Sequence, residues 1–344
     1  MNASAVTGSA MVVVAGFLQG IFAVPMKYAR KWRYENVWLA FTLMALVVFP
    51  WVFTLATVPH IAAIYRLTPT ATFTAIVVFG LCWGIGSALT GLGLNMLGIG
   101  LGIVIILGIS AAAGSLIPLL VLDPNAIHTH QGHLFLLGTS IMLLGIICGA
   151  RAGFLRDASQ RAVTTSERRE NSSFFAGLLV VVAAGLLSSS LNLCYAFGTK
   201  ATSTAQALHV SSVWAPNVVT APSISAGFVA NLLYCGYLLR KNATMQLFWK
   251  RAMRVNWSYS TAMALCWFGG QILYALGMEH MGRLGAIVGW PLLLGMVIVA
   301  SSLAGAVTGE WKSTTFKARF YMTAGIIMVT VALIVLARGP SIPS

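Results

Sequence analysis

A tryptophan followed at positions +4 and +7 by hydrogen-bonding side chains occurs twice in this 344-residue chain. The first set is Trp83, Ser87 and Thr90, the second Trp267, Gln271 and Tyr274. In an α-helix that spacing puts all three side chains on one face. An indole offers a flat apolar wall, and amides and hydroxyls beside it donate and accept hydrogen bonds. Each trio therefore has the chemistry to hold a small neutral polar solute. Gln19, the group Ser188, Ser189, Ser190, Asn192 and Tyr195, and Asn217 and Asn231 place further polar side chains in otherwise apolar stretches. The alternative role for each is a bond between neighbouring helices, worth about 0.6 kcal/mol on average in a membrane.

Ionisable groups are scarce. The chain has 7 acids. Asp157, Glu167 and Glu170 fall in one connection, and Glu35, Asp123, Glu279 and Glu310 stand at the ends of apolar stretches. A proton-coupled process needs an ionisable group within the membrane. Glu279 and Glu310 are the candidates, with an interfacial salt bridge or cap as their alternative role. No Ser/His/acid set, Cys/His pair or paired carboxylates appear within the apolar stretches, which argues against an enzyme and assigns no catalytic residue. No cofactor motif is present: Gly91-Leu92-Gly93 follows no strand and is not a nucleotide loop. His128, His130 and His133 have a spacing that suits zinc or copper, but on a polar connection they read first as a solvated loop. All 5 cysteines lie in apolar stretches and read as packing residues, not as disulfides.

The elements that must position these residues are membrane-spanning helices. Hydrophobic residues are 58% of the chain and charged residues 8%, against roughly 25% charged in a soluble domain. A helix needs roughly 20 apolar residues to cross a bilayer. Ten stretches qualify: 7–26, 36–57, 73–93, 97–121, 133–150, 174–197, 213–239, 257–278, 285–308 and 318–337. The expected fold is an all-α polytopic membrane protein embedded in lipid. The net charge of +14 is no nucleic-acid signal, because the basic residues gather at helix ends. The odd-numbered connections with their flanks hold 4, 0, 5, 5 and 3 Lys or Arg, 17 of the 21. Lys and Arg near helix ends stay cytoplasmic, so the odd connections face inward and both termini outward. The first 26 residues carry no Lys or Arg, so the first stretch reads as a retained helix and not as a cleaved signal.

The two halves resemble each other. Leu81-Cys82-Trp83 recurs as Leu265-Cys266-Trp267, a shift of 184, and 8 of the 18 positions from Leu81 to Gly98 are identical under it. The matched segments are five spans apart. Because five is odd, the second half must be inverted, which places a substrate near the midplane between the halves. The expected organisation is a five-helix repeat over 1–150, a cytoplasmic linker over 151–173 and a second five-helix repeat over 174–344. Gly80 and Gly84, Gly98 and Gly102, and Gly285 and Gly289 have spacings that let helices approach closely. Pro216 and Pro222 interrupt the seventh span and could break it near a cavity.

Motifs along the chain resemble the L-rhamnose–proton symporter family of the drug/metabolite transporter superfamily. They include Val24-Pro25-Met26-Lys27, Lys31-Trp32, Phe49-Pro50-Trp51, Phe79-Gly80, Trp83-Gly84-Ile85-Gly86, Leu97-Gly98 and Gly102-Ile103. Arg151-Ala152-Gly153 opens the linker, and Trp267, Gln271, Tyr274, Gly277, Trp290 and Glu310-Trp311 follow in the second half. The resemblance implies ten helices and uptake of a deoxy-sugar across the inner membrane, coupled to protons. For such a sugar the residues above become a binding set: Trp83, Ser87, Thr90, Asn192, Trp267, Gln271 and Tyr274. The family pattern has an acid a few positions before the tryptophan of the ninth span. Here that stretch is Gly285-Ala286-Ile287-Val288, so an uncoupled facilitator, or an exporter of another small metabolite, stays open beside the symporter. So does a membrane scaffold or receptor that moves nothing.

Overall fold

The computed structural model describes residues 3–97, 99–122, 124–161, 174–282, 285–307 and 314–338. Among these the chain is helical, without a strand. In a bilayer every backbone polar group must be paired within the protein, and a helix does this within one segment. The α-helices are α1 (Ala3–Ile21), α2 (Tyr34–Leu43), α3 (Phe49–Thr57), α4 (Ile61–Leu67), α5 (Thr70–Leu97), α6 (Ile99–Leu122) and α7 (His130–Arg161). They continue as α8 (Phe174–Ser188), α9 (Ser190–Phe197), α10 (Thr199–Ala207), α11 (Asn217–Lys241), α12 (Arg254–Met281), α13 (Gly285–Val307) and α14 (Phe316–Arg338).

Nine helical segments among the described residues are long and apolar enough to cross a membrane. They correspond to the first nine expected spans, and α14 lies over the tenth with 23 residues. Two spans are interrupted and a third starts late, each for a local reason. One π-turn, Met44–Val48, joins α2 to α3 just before Pro50, where the missing N–H breaks the regular ladder. The sixth span bends at Ser189, whose hydroxyl donates back to Leu186 O at 2.6 Å and separates α8 from α9. Pro216 caps the start of α11, so the seventh span begins at Asn217 and not at 213, while Pro222 sits inside a continuous helix. The connection expected from 151 begins as helix, since α7 runs on to Arg161. Residues 162–173 lie outside the described residues, as do Asp123, Glu167, Glu170, Glu310 and Trp311.

Packing interleaves the two halves of the chain. α1 lies against α12 and α13, and α5 lies against α8, α9 and α11. α6 contacts α7, α8 and α13, α2 contacts α11 and α12, and α14 runs along α7. Glycine sets how closely these helices cross. A Cβ at Gly80 would collide with the Ser223 backbone, and one at Gly84 with that of Gly227, so α5 and α11 touch backbone to backbone.

One end of the bundle is basic and closely packed among the described residues. There Trp32 packs edge-on against Phe248 and Trp257, with centroids 5.2 and 5.6 Å away. Its Nε1 donates to Leu247 O at 3.2 Å. The Glu35 carboxylate is buried and accepts from Asn242 Nδ2 at 2.9 Å and Thr244 Oγ1 at 2.8 Å. Asn256 holds the Arg30 backbone at both its N–H and its carbonyl.

Candidate solute-binding site

The opposite end is open. A cavity of about 520 Å³ enters there, within the about 300–1,000 Å³ typical of small-molecule sites. α10 supplies one wall with Thr199, Thr202, Ser203 and Gln206. α12 supplies Ala275, Met278 and Glu279, while Pro118, Ile287, Tyr195 and Pro216 come from α6, α13, α9 and the start of α11. Gln206 Nε2 donates to Glu279 Oε1 at 3.3 Å across the mouth. Tyr195 reaches deeper, and its hydroxyl pairs with Thr220 Oγ1 at 3.1 Å.

Beneath Tyr195 lies a buried polar layer. Its ring meets Tyr274 edge-on at 5.8 Å, and Tyr274 meets Trp290 at 5.9 Å. Tyr274 OH donates to Asn192 Oδ1 at 2.5 Å, and Asn192 Nδ2 donates to Gly114 O at 2.7 Å. Gly114 O is free to accept because Pro118, four residues on, has no N–H to offer it. Gly114 must be glycine, since a Cβ would stand 2.5 Å from Trp290 Cδ1. Trp290 is fixed in turn by its Nε1, which donates to Ser110 O at 2.9 Å.

On the α1 side Gln19 Nε2 donates to Gln271 Oε1. Glycine permits this too: a Cβ at Gly270 would stand 2.7 Å from Gln19 Cγ and 2.9 Å from Ala15 O. Gln271 is 1% exposed, and its Nε2 has no partner at hydrogen-bonding distance among the described residues; the Tyr195 hydroxyl is a polar neighbour. A buried amide N–H left unpaired costs about 1–3 kcal/mol. This donor, beneath a cavity, is the group most in need of a ligand or a water.

One turn farther toward the basic end, Trp83 and Trp267 stack on each other with centroids 5.6 Å apart and planes at 27°. Trp83 lies over Gly227, where a Cβ would stand 2.5 Å from its Cε3. The stack joins α5 to α12, and neither indole lines the cavity. Of the other expected residues, Asn192, Gln271 and Tyr274 gather in the polar layer. Thr90 spends its hydroxyl on Gly86 O of its own helix at 2.9 Å, and Ser87 makes no hydrogen bond among the described residues. Glu279 is at the cavity mouth, whereas Glu310 lies outside the described residues.

Two contributors were not legible as site residues. The α10 wall sits in what reads as a connection, because Thr199–Ala207 is polar and short. Pro118 is not among the residues singled out from the sequence, although a proline inside a long apolar stretch signals a carbonyl in need of a donor. Among the described residues no three His, Cys, Asp or Glu side chains converge on a point that could hold a metal.

Residues 1–341 match the family described as L-rhamnose-proton symport protein. Similar curated proteins are the L-rhamnose-proton symporters of Yersinia pestis (strain Pestoides F) and Yersinia pseudotuberculosis (serotype O:1b, strain IP 31758). Each is 24% identical over 350 residues, covering 98% of this chain and 99% of the relative. The corresponding protein of Yersinia pestis bv. Antiqua (strain Antiqua) is 25% identical over the same extent.

Proposed function

The chain belongs to the L-rhamnose–proton symporter family, and from that premise we propose that it takes up L-rhamnose or a related deoxy-sugar across the inner (plasma) membrane, coupled to protons. The observation that carries the reading is the cavity at the sparsely charged end. It stops on a polar layer built by both halves of the chain, while the basic end is closely packed. With Lys27, Arg30, Arg33, Arg240, Lys241 and Arg251 cytoplasmic, the arrangement faces outward and both termini are external. A sugar entering from outside meets Thr202, Gln206 and Tyr195 first. It then reaches the unpaired Gln271 Nε2 with Asn192 and Tyr274 around it, and the Trp83–Trp267 stack is the floor that must part for passage.

The proposed mechanism is alternating access between two inverted five-helix repeats, 1–150 and 174–344 joined by the 151–173 linker, and the pairing of helices supports it. α1 on α12 is matched by α8 and α9 on α5. α1 on α13 is matched by α8 on α6, and α11 on α5 by α2 on α12. Each contact recurs five spans along, which supports a pseudo-two-fold relation. For the proton, Glu279 at the cavity mouth, held by Gln206, is the proposed carrier, and Glu310 is the second candidate.

Uptake of labelled L-rhamnose into vesicles, with and without an inward proton gradient, tests the reading. Saturable uptake driven above equilibrium by the gradient is expected. Glu279→Gln should still equilibrate the sugar but no longer concentrate it. Absence of uptake under both conditions overturns the transport claim, while uptake indifferent to the gradient selects a facilitator.

A further inference from the structure

Four prolines interrupt the helical ladders of the spans: Pro50, Pro118, Pro222 and Pro291. Each withholds an N–H from the carbonyl four residues earlier, leaving Leu46, Gly114, Val218 and Ile287 short of their helical donor. In a membrane such a carbonyl must be satisfied by protein or face water. Three of the four are taken by a side chain of another element. Ser225 Oγ donates to Leu46 O at 2.8 Å, Asn192 Nδ2 to Gly114 O at 2.7 Å, and Tyr65 OH to Val218 O at 3.2 Å. Among the described residues no side chain donates to Ile287 O. Ile287 is also the one of the four that lines the cavity.

We propose that Pro291 leaves the Ile287 carbonyl open as a fixed acceptor in the cavity, where it receives a hydrogen bond from one hydroxyl of the transported sugar. The inference rests on the sugar-transport reading and adds to it a polar contact that no side chain provides. Its chemistry is specific. A carbonyl accepts and never donates, so the ligand must present an O–H there, and an ether or a fluorine at the same carbon cannot substitute. It also complements Gln271 Nε2, which can only donate. Together they read one hydroxyl as donor and one oxygen as acceptor, and a ligand lacking the matched hydroxyl would leave a buried acceptor unpaired.

The test is equilibrium binding to purified protein of L-rhamnose and of analogues in which each hydroxyl in turn is replaced by hydrogen, fluorine or methoxy. In the wild type one position should lose about tenfold in affinity with all three replacements, about 1.4 kcal/mol. Pro291→Ala restores the N–H and closes the helical bond on Ile287 O. It should weaken L-rhamnose binding by a similar factor and abolish the penalty at that one position, leaving the other positions as they were. Pro222→Ala, whose freed carbonyl is held by Tyr65, should keep the wild-type pattern. If Pro291→Ala fails to reach the membrane, Pro291→Gly supplies the same N–H. An unchanged analogue profile in the Pro291 variant, or a wild type with no donor-only position, overturns the proposal. A wild type that binds no L-rhamnose overturns the sugar reading itself.

Discussion

Gln271 is the residue on which the proposed site turns, because its two amide atoms have different fates. Oε1 is held by Gln19, and Nε2 is left without a partner beneath the cavity. Replacing Gln271 by Leu should weaken uptake at least tenfold, about 1.4 kcal/mol. By itself that result is ambiguous, since it also strands the Gln19 amide. Removing both partners of a buried hydrogen bond is often nearly neutral, whereas removing one is costly. The pair Gln19→Met with Gln271→Met therefore separates the roles. If the bond is packing alone, the double variant should recover transport; if Nε2 holds the sugar, transport stays lost while the folded protein survives. The sequence groups Trp83 with Ser87 and Thr90, and Trp267 with Gln271 and Tyr274, because spacing within one helix is a local fact. It does not reveal that Tyr274 donates to Asn192 or that Thr90 turns back on its own helix. Those outcomes depend on which helix lies opposite, and the spacing within one helix carries no record of it.

At the scale of helices, glycine and proline decide what the apolar pattern leaves open. Span positions could be read from length and hydropathy alone, since the bilayer imposes both. The turn at Ser189 and the π-turn before Pro50 follow from local hydrogen bonding that hydropathy averages away. The α1–α12 crossing is the one that matters for the site. Gly270→Ala adds a Cβ against Ala15 O and Gln19 Cγ. The side chain can swing aside, but the backbone oxygen cannot, so α1 must shift. The expected outcome is a folded, inserted protein with a thermal midpoint lowered by several degrees, about 1–3 kcal/mol of overpacking. Its sugar affinity should fall because Gln19 no longer meets Gln271. Unchanged affinity would show that the crossing can relax without disturbing the layer.

For the whole molecule, sidedness and the open end must agree. In a background without the five native cysteines, Thr202→Cys on the cavity wall should react with impermeant thiol reagents added outside, and L-rhamnose should protect it. Lys250→Cys at the basic end should react only after the membrane is made permeable. The reverse pattern would invert the molecule and with it the direction in which the cavity loads. Charge placement makes the proposed orientation legible in the sequence, because 17 of 21 basic residues fall on alternate connections. Which conformation the chain rests in is not legible there. On the proposed reading it depends on contacts between the first and seventh connections, about 210 residues apart along the chain.

Those contacts carry a kinetic consequence. Under the proposed alternating access, the Glu35 clamp on Asn242 and Thr244, with Trp32 wedged against Phe248 and Trp257, holds the outward-facing member of a two-state equilibrium. A ligand's apparent affinity is its intrinsic affinity multiplied by the fraction of molecules in the competent state. Strengthening the clamp therefore improves capture from dilute medium only until nearly all molecules already rest outward. Beyond that point each further 1.4 kcal/mol leaves capture unchanged and makes the opposite, releasing state about ten times rarer. A carrier tuned for scarce sugar should hold its clamp near that crossover. Loosening it with Glu35→Gln should trade affinity for turnover, while a tighter clamp should slow release without improving uptake at low concentration.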